Sequence, residues 1–400
     1  MKILFLTLAK IDNIETQGIY TDLLRKFRDN GHDVTIVSPI ERKYGTKTSY
    51  IYNGGVGILN VWTTNIQKTN LFEKGITTLL IEVFYYFAIK KHVVYNDVDL
   101  ILYSTPPITF TNLIKLLKYG SNAKTYLLLK DIFPQNAVDL KLIDKRSLIY
   151  HYFREKEKTL YRISDFIGCM SPGNLNYLVK ENPELNIKKL EVNPNSIELK
   201  EVQNKEKIDL YDKYKIPKGR VIFIFGGNLG LPQGIEYLKR NIQYCSSIND
   251  AFFLIIGNGT EYLNFHKWIY EKRIENVLLI KELPKSEFDK VLKLAHVGLI
   301  FLNPLFTIPN FPSRLLSYLN NKLPVICATD SQTDIGQIAE MNNFGLSCLT
   351  TEYHVFYEHV IKLLNKDIRD SMGANGFKFL EREYSISNSY NLILQKVKLL

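Results

Sequence analysis

"VIFIFGGNLGLPQGIEYL", residues 221–238, decides the fold. The run Val221–Phe225 is wholly apolar, and it breaks into Gly226, Gly227 and Gly230 before a helix that begins near Pro232. A short apolar run bounded by glycines reads as a strand buried on both faces, the kind found in a parallel sheet covered by helices. Glycines where a strand hands over to a helix let backbone N–H groups approach an anion, and the helix dipole points its positive end the same way. The stretch is neither G-x-G-x-x-G nor G-x-x-x-x-G-K-[ST]; it has no lysine, and Gln233 stands where one is wanted. The dipole supplies roughly 0.3–1 kcal/mol, about 2 when partly buried, which is too little to hold a diphosphate. Either this is a tight turn with no ligand, or a cation arrives from another strand end.

The same grammar repeats outward in both directions. Beyond it come "AFFLIIGNG", "NVLLIKEL", "VGLIFLN" and "LPVICAT". Before it come "KILFLTL", "DVTIVSP", "GILNVWTT", "DVDLILYSTPP", "KTYLLLKD" and "DFIGCMSPG". Helical spacings separate them, including "GIYTDLLRKFRDNGH" with Gly31 as its stop and a long apolar helix around 76–92. Between the halves, 193–220 is polar and without apolar period. The pattern predicts an α/β chain of two doubly wound, Rossmann-like domains, 1–200 and 201–380, facing a cleft, with a closing helix 381–400 packing back on the first. Ligands of such sheets sit beyond the carboxyl ends of the strands, so informative residues follow each strand.

Composition narrows the classes. The chain has 400 residues, more than one comfortable core, with 46% hydrophobic and 23% charged residues, ordinary for a globular protein. Its formal charge of +10 lies mostly in residues 1–200, where 27 Lys and Arg stand against 20 Asp and Glu. A basic half attracts phosphorylated partners or anionic lipid, or simply keeps the surface soluble. No arginine-rich run or zinc-finger spacing points to nucleic acid. Cys169, Cys245, Cys327 and Cys348 form no C-x-x-C, which fits reduced thiols of the cytoplasm and no metal. "MKILFLTLAK" reads as a buried first strand rather than a signal peptide. "GITTLLIEVFYYFAIKKHVV" is broken by Glu82 and ended by Lys90 and Lys91, short of the roughly 20 residues that a membrane span needs.

The missing cation is found in "NPLFTIPNFPSRLLSYLNNKLPVICATD", 303–330. Pro312 and Ser313 read as a helix start with Ser313 as the cap, which puts Arg314 in the first turn. A cation there opposes the helix dipole unless an anion shares the site. An arginine fork can chelate phosphate oxygens, each charge-assisted bond being worth about 1.5–3 kcal/mol. The bland alternative is a surface arginine.

With these pieces in order, the chain resembles the family 4 retaining glycosyltransferases of GT-B fold. The resemblance rests on "GGNLGLPQGIEYL", "LIIGNG", "PSRLLSYLNNKLPVI" and "VNPNSIEL", and on "YSTPPIT" and "KDIFPQNAVDL" in the first half. The last two are similar to the branch that builds bacterial O-antigen and capsule, which includes N-acetyl-fucosamine transferases. The resemblance implies a UDP-sugar donor held mainly by the second domain. Its diphosphate would meet Gly227, Asn228 and Gly230 and the arginine of P-S-[KR], Arg314, beside Ser313. A glutamine after the glycine loop is usual in this branch, and Gln233 agrees. Gly257 and Gly259 would let the backbone approach the nucleotide, with Leu283 and Pro284 beside the base. The family's ribose-binding glutamate is Ser317 here, and Pro309 eight residues earlier is not acidic either, so ribose is met by a hydroxyl at most. Gly18 stands where the family often has a glycine pair.

Asp131 resembles the family's residue at the reacting sugar, where a carboxylate could bond a hydroxyl or stabilise an oxocarbenium-like centre; its bland role is to cap the following turn. Lys130 takes the place of the branch's arginine, or is a rim charge. Ser104 and Thr105 bond an acceptor or shape the Pro106–Pro107 turn. The implied reaction is transfer with retention to a polyprenyl-diphosphate-linked saccharide, with no metal cofactor, in the cytoplasm or at the inner face of the membrane. The apolar, lysine-ended helix suits such a surface, or is core. Competing readings are a nucleotide-sugar epimerase of the same fold, which needs more cleft acids, and a non-catalytic partner that keeps the fold. A dehydrogenase is disfavoured because the first strand lacks G-x-G-x-x-G.

Overall fold

The computed structural model describes residues 1–65, 71–199 and 210–398, with the side chains of 71–79 outside the description. The expected boundary at 200/201, the first part of the apolar helix and the last two residues of the closing helix lie outside the described residues or side chains. The chain forms two compact units, Met1–Glu198 with Ser385–Leu400, and Leu199–Tyr384.

Unit 1 is built on β1 (Lys2–Leu6), β2 (Asp33–Glu41), β3 (Ser49–Asn53), β4 (Val56–Thr63), β5 (Leu100–Ser104), β6 (Lys124–Leu129), β7 (Phe166–Cys169) and β8 (Leu190–Val192). Their order across the sheet is β3-β4-β2-β1-β5-β6-β7-β8, parallel except for β3. The strands read as continuous apolar runs because both faces are covered: every residue of β5 is buried. β3 escaped the sequence reading. All but its last residue are exposed, so no alternation marks it, and only the Asn53-Gly54-Gly55 turn announces the hairpin.

The helix Ile386–Lys398 belongs to unit 1. Its Tyr390 ring packs on Phe27 at 4.8 Å, and Ser389 donates to the buried Asn193 at 2.7 Å. Asn193 in turn donates to Tyr126, which is also bonded to Glu191. This network satisfies the buried Asn193; Asn195 and Ser196 beside it are buried too, so the stretch is no loose linker.

Unit 2 carries β9 (Val221–Asn228), β10 (Ala251–Asn258), β11 (Val277–Ile280), β12 (Val297–Phe301), β13 (Val325–Thr329) and β14 (Gly345–Leu349). They form an all-parallel sheet in the order β11-β10-β9-β12-β13-β14. Phe223, Phe225, Phe253 and Phe301 anchor its core. In each unit the first strand is flanked by strands that wind off in opposite directions, β1 by β2 and β5, β9 by β10 and β12. That reversal opens a crevice at the carboxyl ends, where ligands of doubly wound sheets bind.

Candidate functional site

In unit 2 the crevice is framed by the end of β9 and the chain that follows β12. Gly227 lies at φ 131°, a conformation that side chains rarely adopt, and a methyl there would come within 3.3 Å of Arg314 Nη2. The guanidinium therefore lies directly against the glycine turn. It stacks on the Phe225 ring, 4.3 Å from centroid to Cζ. The helix Arg314–Asn320 is held there by Tyr318, whose buried hydroxyl accepts from Gly226 N–H at 3.1 Å and donates to Ile224 O at 3.2 Å. Tyr318 is one turn beyond Arg314, on the same helix face, so anchoring one places the other.

The electrostatics of Arg314 are unusual. Among the described residues it has no carboxylate partner, and Nη1 is buried without a hydrogen bond. Burial pushes its pKa down from the ordinary arginine value. The residue as a whole is half-buried. Native proteins pair such groups, and an unpaired one in a crevice marks a place where an anion is expected.

The rest of the glycine turn supports an approach by backbone. Gly257 pairs with Gly227 across β10 and β9, and a methyl at Gly257 would collide with Gly227 O. Gly259 lies under the Leu229 carbonyl and accepts from Tyr262 N–H. Asn228 is exposed and donates to Gln233 at 3.1 Å, which fixes both amides at the rim beside Gly230. Ser317 is half-buried, one turn from Arg314. Leu283 is half-buried and Pro284 exposed at the start of the helix Lys285–Leu292; Phe288 of that helix covers Gly226.

Two local expectations are corrected. The helix after the glycines does not begin at Pro232: Leu231–Gln233 is a single tight turn, Gly234 adopts φ 59°, and the helix runs from Ile235 to Tyr244. Gly234 is pressed against Leu302 O and Asn303, so the start of that helix is buried under the β12 loop rather than open. Ser313 is no cap. Its backbone is already helical at φ −60°, ψ −18°, and its side chain makes no bond to the helix amides, because a cap must be extended to reach them.

In unit 1 the crevice lies between the ends of β1 and β5, where Ser104 donates to Thr7 at 3.3 Å. Gly18 opens the helix Ile19–Asp29 beyond β1, and its N–H donates to the buried Asp22. Ser104 and Thr105 are each 1% exposed, so neither presents a free hydroxyl. Thr105 instead accepts from the N–H groups of Lys130 at 2.9 Å and Asp131 at 3.2 Å. Its hydroxyl thus positions that pair. Thr105→Val, which keeps the shape and removes the acceptor, is expected to cost about 1–3 kcal/mol for each amide left bare, read by urea unfolding and by faster hydrogen exchange at 130 and 131.

Lys130 and Asp131 have different electrostatic neighbours, Cys169 for Lys130 and Tyr20 for Asp131. Burial draws the half-buried Lys130 down to about 7 and raises the Asp131 carboxyl to about 6. The Asp131 side chain is exposed by area, so water screens it and the direction of its shift matters more than the size. Among the described residues no cluster of His, Cys, Asp or Glu could hold a metal ion, and no helix is long and apolar enough to cross a membrane.

Residues 181–379 match the family model described as Glycosyl transferases group 1. A Pseudomonas aeruginosa protein named "Probable glycosyltransferase WbjE" is 24% identical over 321 residues, covering 80% of this chain and 78% of that one. Among solved structures, the E. coli trehalose-6-phosphate protein bound with UDP-2-fluoro glucose is similar with a TM-score of 0.77 at 10% identity, covering 100% of this chain and 99% of that one. Anabaena HepE in complex with UDP-glucose is similar with a TM-score of 0.71 at 12% identity over 100% of both chains. The fold is therefore GT-B, and the family match and the curated relative support a glycosyltransferase.

Proposed function

We propose that the chain is a retaining glycosyltransferase that moves a sugar from a UDP-sugar to a lipid-linked saccharide in the synthesis of a bacterial surface polysaccharide. The observation that carries the donor part is the unpaired, partly buried guanidinium of Arg314 lying on the Gly227 turn. A diphosphate supplies the missing acceptors for Nη1 and Nη2, while the amides of the glycine turn take further oxygens. Leaving-group charge builds on that diphosphate as the glycosidic bond breaks, so a fixed cation and dipoles aimed at it lower the barrier. Ser317 meets the ribose with a neutral hydroxyl. On the other unit, Asp131 acts at the sugar, its carboxylate favouring positive charge at the anomeric carbon, and Lys130 bonds the acceptor. This reading calls for no metal.

Structural relatives solved with UDP-glucose and UDP-2-fluoro glucose support the choice of a uridine nucleotide. The curated relative's name supports transfer rather than epimerisation. The test is a panel of UDP-sugars assayed for thermal stabilisation, followed by NMR of the transferred anomeric centre. UDP and at least one UDP-sugar are expected to raise the melting temperature, with the product keeping the donor's anomeric configuration. No stabilisation by any uridine diphosphate removes the donor assignment, and an inverted product removes retention.

A further inference from the structure

The ends of β1 and β5 bring three hydroxyls together in the crevice of unit 1. Leu6 pairs with Tyr103 in register, which sets Thr7 beside Ser104 one step further on. Ser104 donates to Thr7 Oγ1 at 3.3 Å, and the Ala9 N–H donates to the same oxygen at 3.0 Å. The third hydroxyl is that of Tyr20, which bonds with both Ser104 and Thr7. Its ring lies on the buried Phe5 with centroids 5.2 Å apart, so ring and hydroxyl are both held. The backbone under it is fixed as well. Tyr20 is the second residue of the helix Ile19–Asp29, whose buried Asp22 and Arg25 form an ion pair at 2.6 Å. Asp22 Oδ1 accepts from Gly18 N–H at 3.0 Å, and Arg25 Nη1 donates to Ile14 O at 2.7 Å and Thr16 O at 3.3 Å. One pair thus ties the loop before the helix to its first turn, the kind of support that keeps a functional side chain in place.

Two tyrosines meet Thr7, and they differ. Tyr85 is fully buried and donates to Thr7 O at 2.7 Å, a bond that ends inside the protein. Tyr20 is half-buried, and the charge of Asp131 reaches its hydroxyl although the two are not bonded to each other. Among the described residues no side chain bonds the Asp131 carboxylate. Burial pushes the Tyr20 phenol up to about 12, so it keeps its proton and can donate. The ionised carboxylate can only accept. An alcohol is the ligand group that accepts from the one and donates to the other through a single oxygen. A hydrogen or methyl at that place leaves the carboxylate without a partner.

We propose that Tyr20 is a specificity-determining residue of the transferase, taking one free hydroxyl of the donor's sugar jointly with Asp131. Asp131 is the residue assigned to the reacting sugar, so its near neighbour meets the same sugar. The bonds to Thr7 and Ser104 do not compete with this role, because a phenol oxygen accepts from them while its proton turns to the ligand. The inference rests on the UDP-sugar reading and adds the residue that chooses among sugars: a donor with a hydroxyl at that position is preferred to its deoxy counterpart.

The test compares the parent with Tyr20→Phe, which keeps the ring on Phe5 and removes the hydroxyl. The probes are UDP-glucose and UDP-N-acetylglucosamine, each beside counterparts with one sugar hydroxyl replaced by hydrogen. The readout is UDP release with water as the acceptor. For one deoxy donor the parent is expected to lose about tenfold to a hundredfold in kcat/KM, the scale for an unmet bond to a charged group. Tyr20→Phe should lose about tenfold on the full donor and less than about twofold on that deoxy donor, where the bond is already absent. UDP affinity should be unchanged in the variant, which shows that it is folded. A residue kept for folding would slow both donors alike. A parent that handles every deoxy donor like the full one overturns the inference and leaves the UDP-sugar reading standing. So does a variant whose loss is nil, is equal on both donors, or extends to UDP affinity. If neither UDP-sugar is bound or turned over, the donor reading falls and the inference falls with it.

Discussion

Arg314→Ala is expected to weaken UDP binding by at least about a hundredfold, measured by calorimetry. The guanidinium lies against Gly227 with Nη1 lacking any acceptor. Two charge-assisted bonds to a diphosphate at about 1.5–3 kcal/mol each exceed what the neutral amides of the glycine turn supply. A companion variant separates this role from a structural one. An unpaired cation out of water costs several kcal/mol, whereas the stacking of Arg314 on Phe225 returns only about 0.5–2. Arg314→Met, which keeps the stem volume, should therefore raise the melting temperature of the ligand-free protein while losing UDP. A residue kept for folding would show the opposite sign. Undiminished UDP affinity in either variant takes Arg314 out of the donor site.

Much of this was legible in the sequence because it is local. Val221–Phe225 announces a strand by its apolar run, and the glycines that follow announce a close approach, without reference to anything distant. Two alternating βα series separated by a polar stretch suffice to predict a doubly wound architecture. The cation at Arg314 was also visible, since a positive charge in a first helical turn conflicts with the dipole. What was hidden depends on contacts between residues far apart in the chain. Tyr318 fixes Arg314 by bonding Gly226, 92 residues away, and no period in the sequence encodes that bond. From the sequence, Thr105 reads either as an acceptor ligand or as a shaper of the Pro106–Pro107 turn. Its hydroxyl is consumed by the Lys130 and Asp131 amides, a pairing that exists only once β5 and β6 lie together. Ser313 has the right residue type for a cap, but the chain enters the helix one residue early. The β3 strand has no buried face, so hydrophobic patterning had nothing to report.

The second large effect is expected at Asp131. Asp131→Asn should lower the transfer rate about a hundredfold, the scale for removing one group aimed at developing charge, and leave UDP affinity unchanged. The amide keeps the shape and the backbone bonds to Thr105, so a loss reports the charge and not the fold. Acid titration gives an independent readout. Burial raises this carboxyl from 3.8 to about 6, so protons neutralise it at milder acidity than a free aspartate. The ionised form is the one that favours positive charge on the sugar. Turnover should therefore fall as pH drops through a limb between 3.8, where solvent screening of the exposed side chain would return it, and about 6. The asparagine variant has no proton to take up there, and its lower rate should be flat across that limb. An acid limb of unchanged midpoint in the variant would assign the titration to another group. A variant that transfers sugar at the parent's rate would leave Asp131 as a turn residue and shift the stabilising charge to the donor's own departing diphosphate.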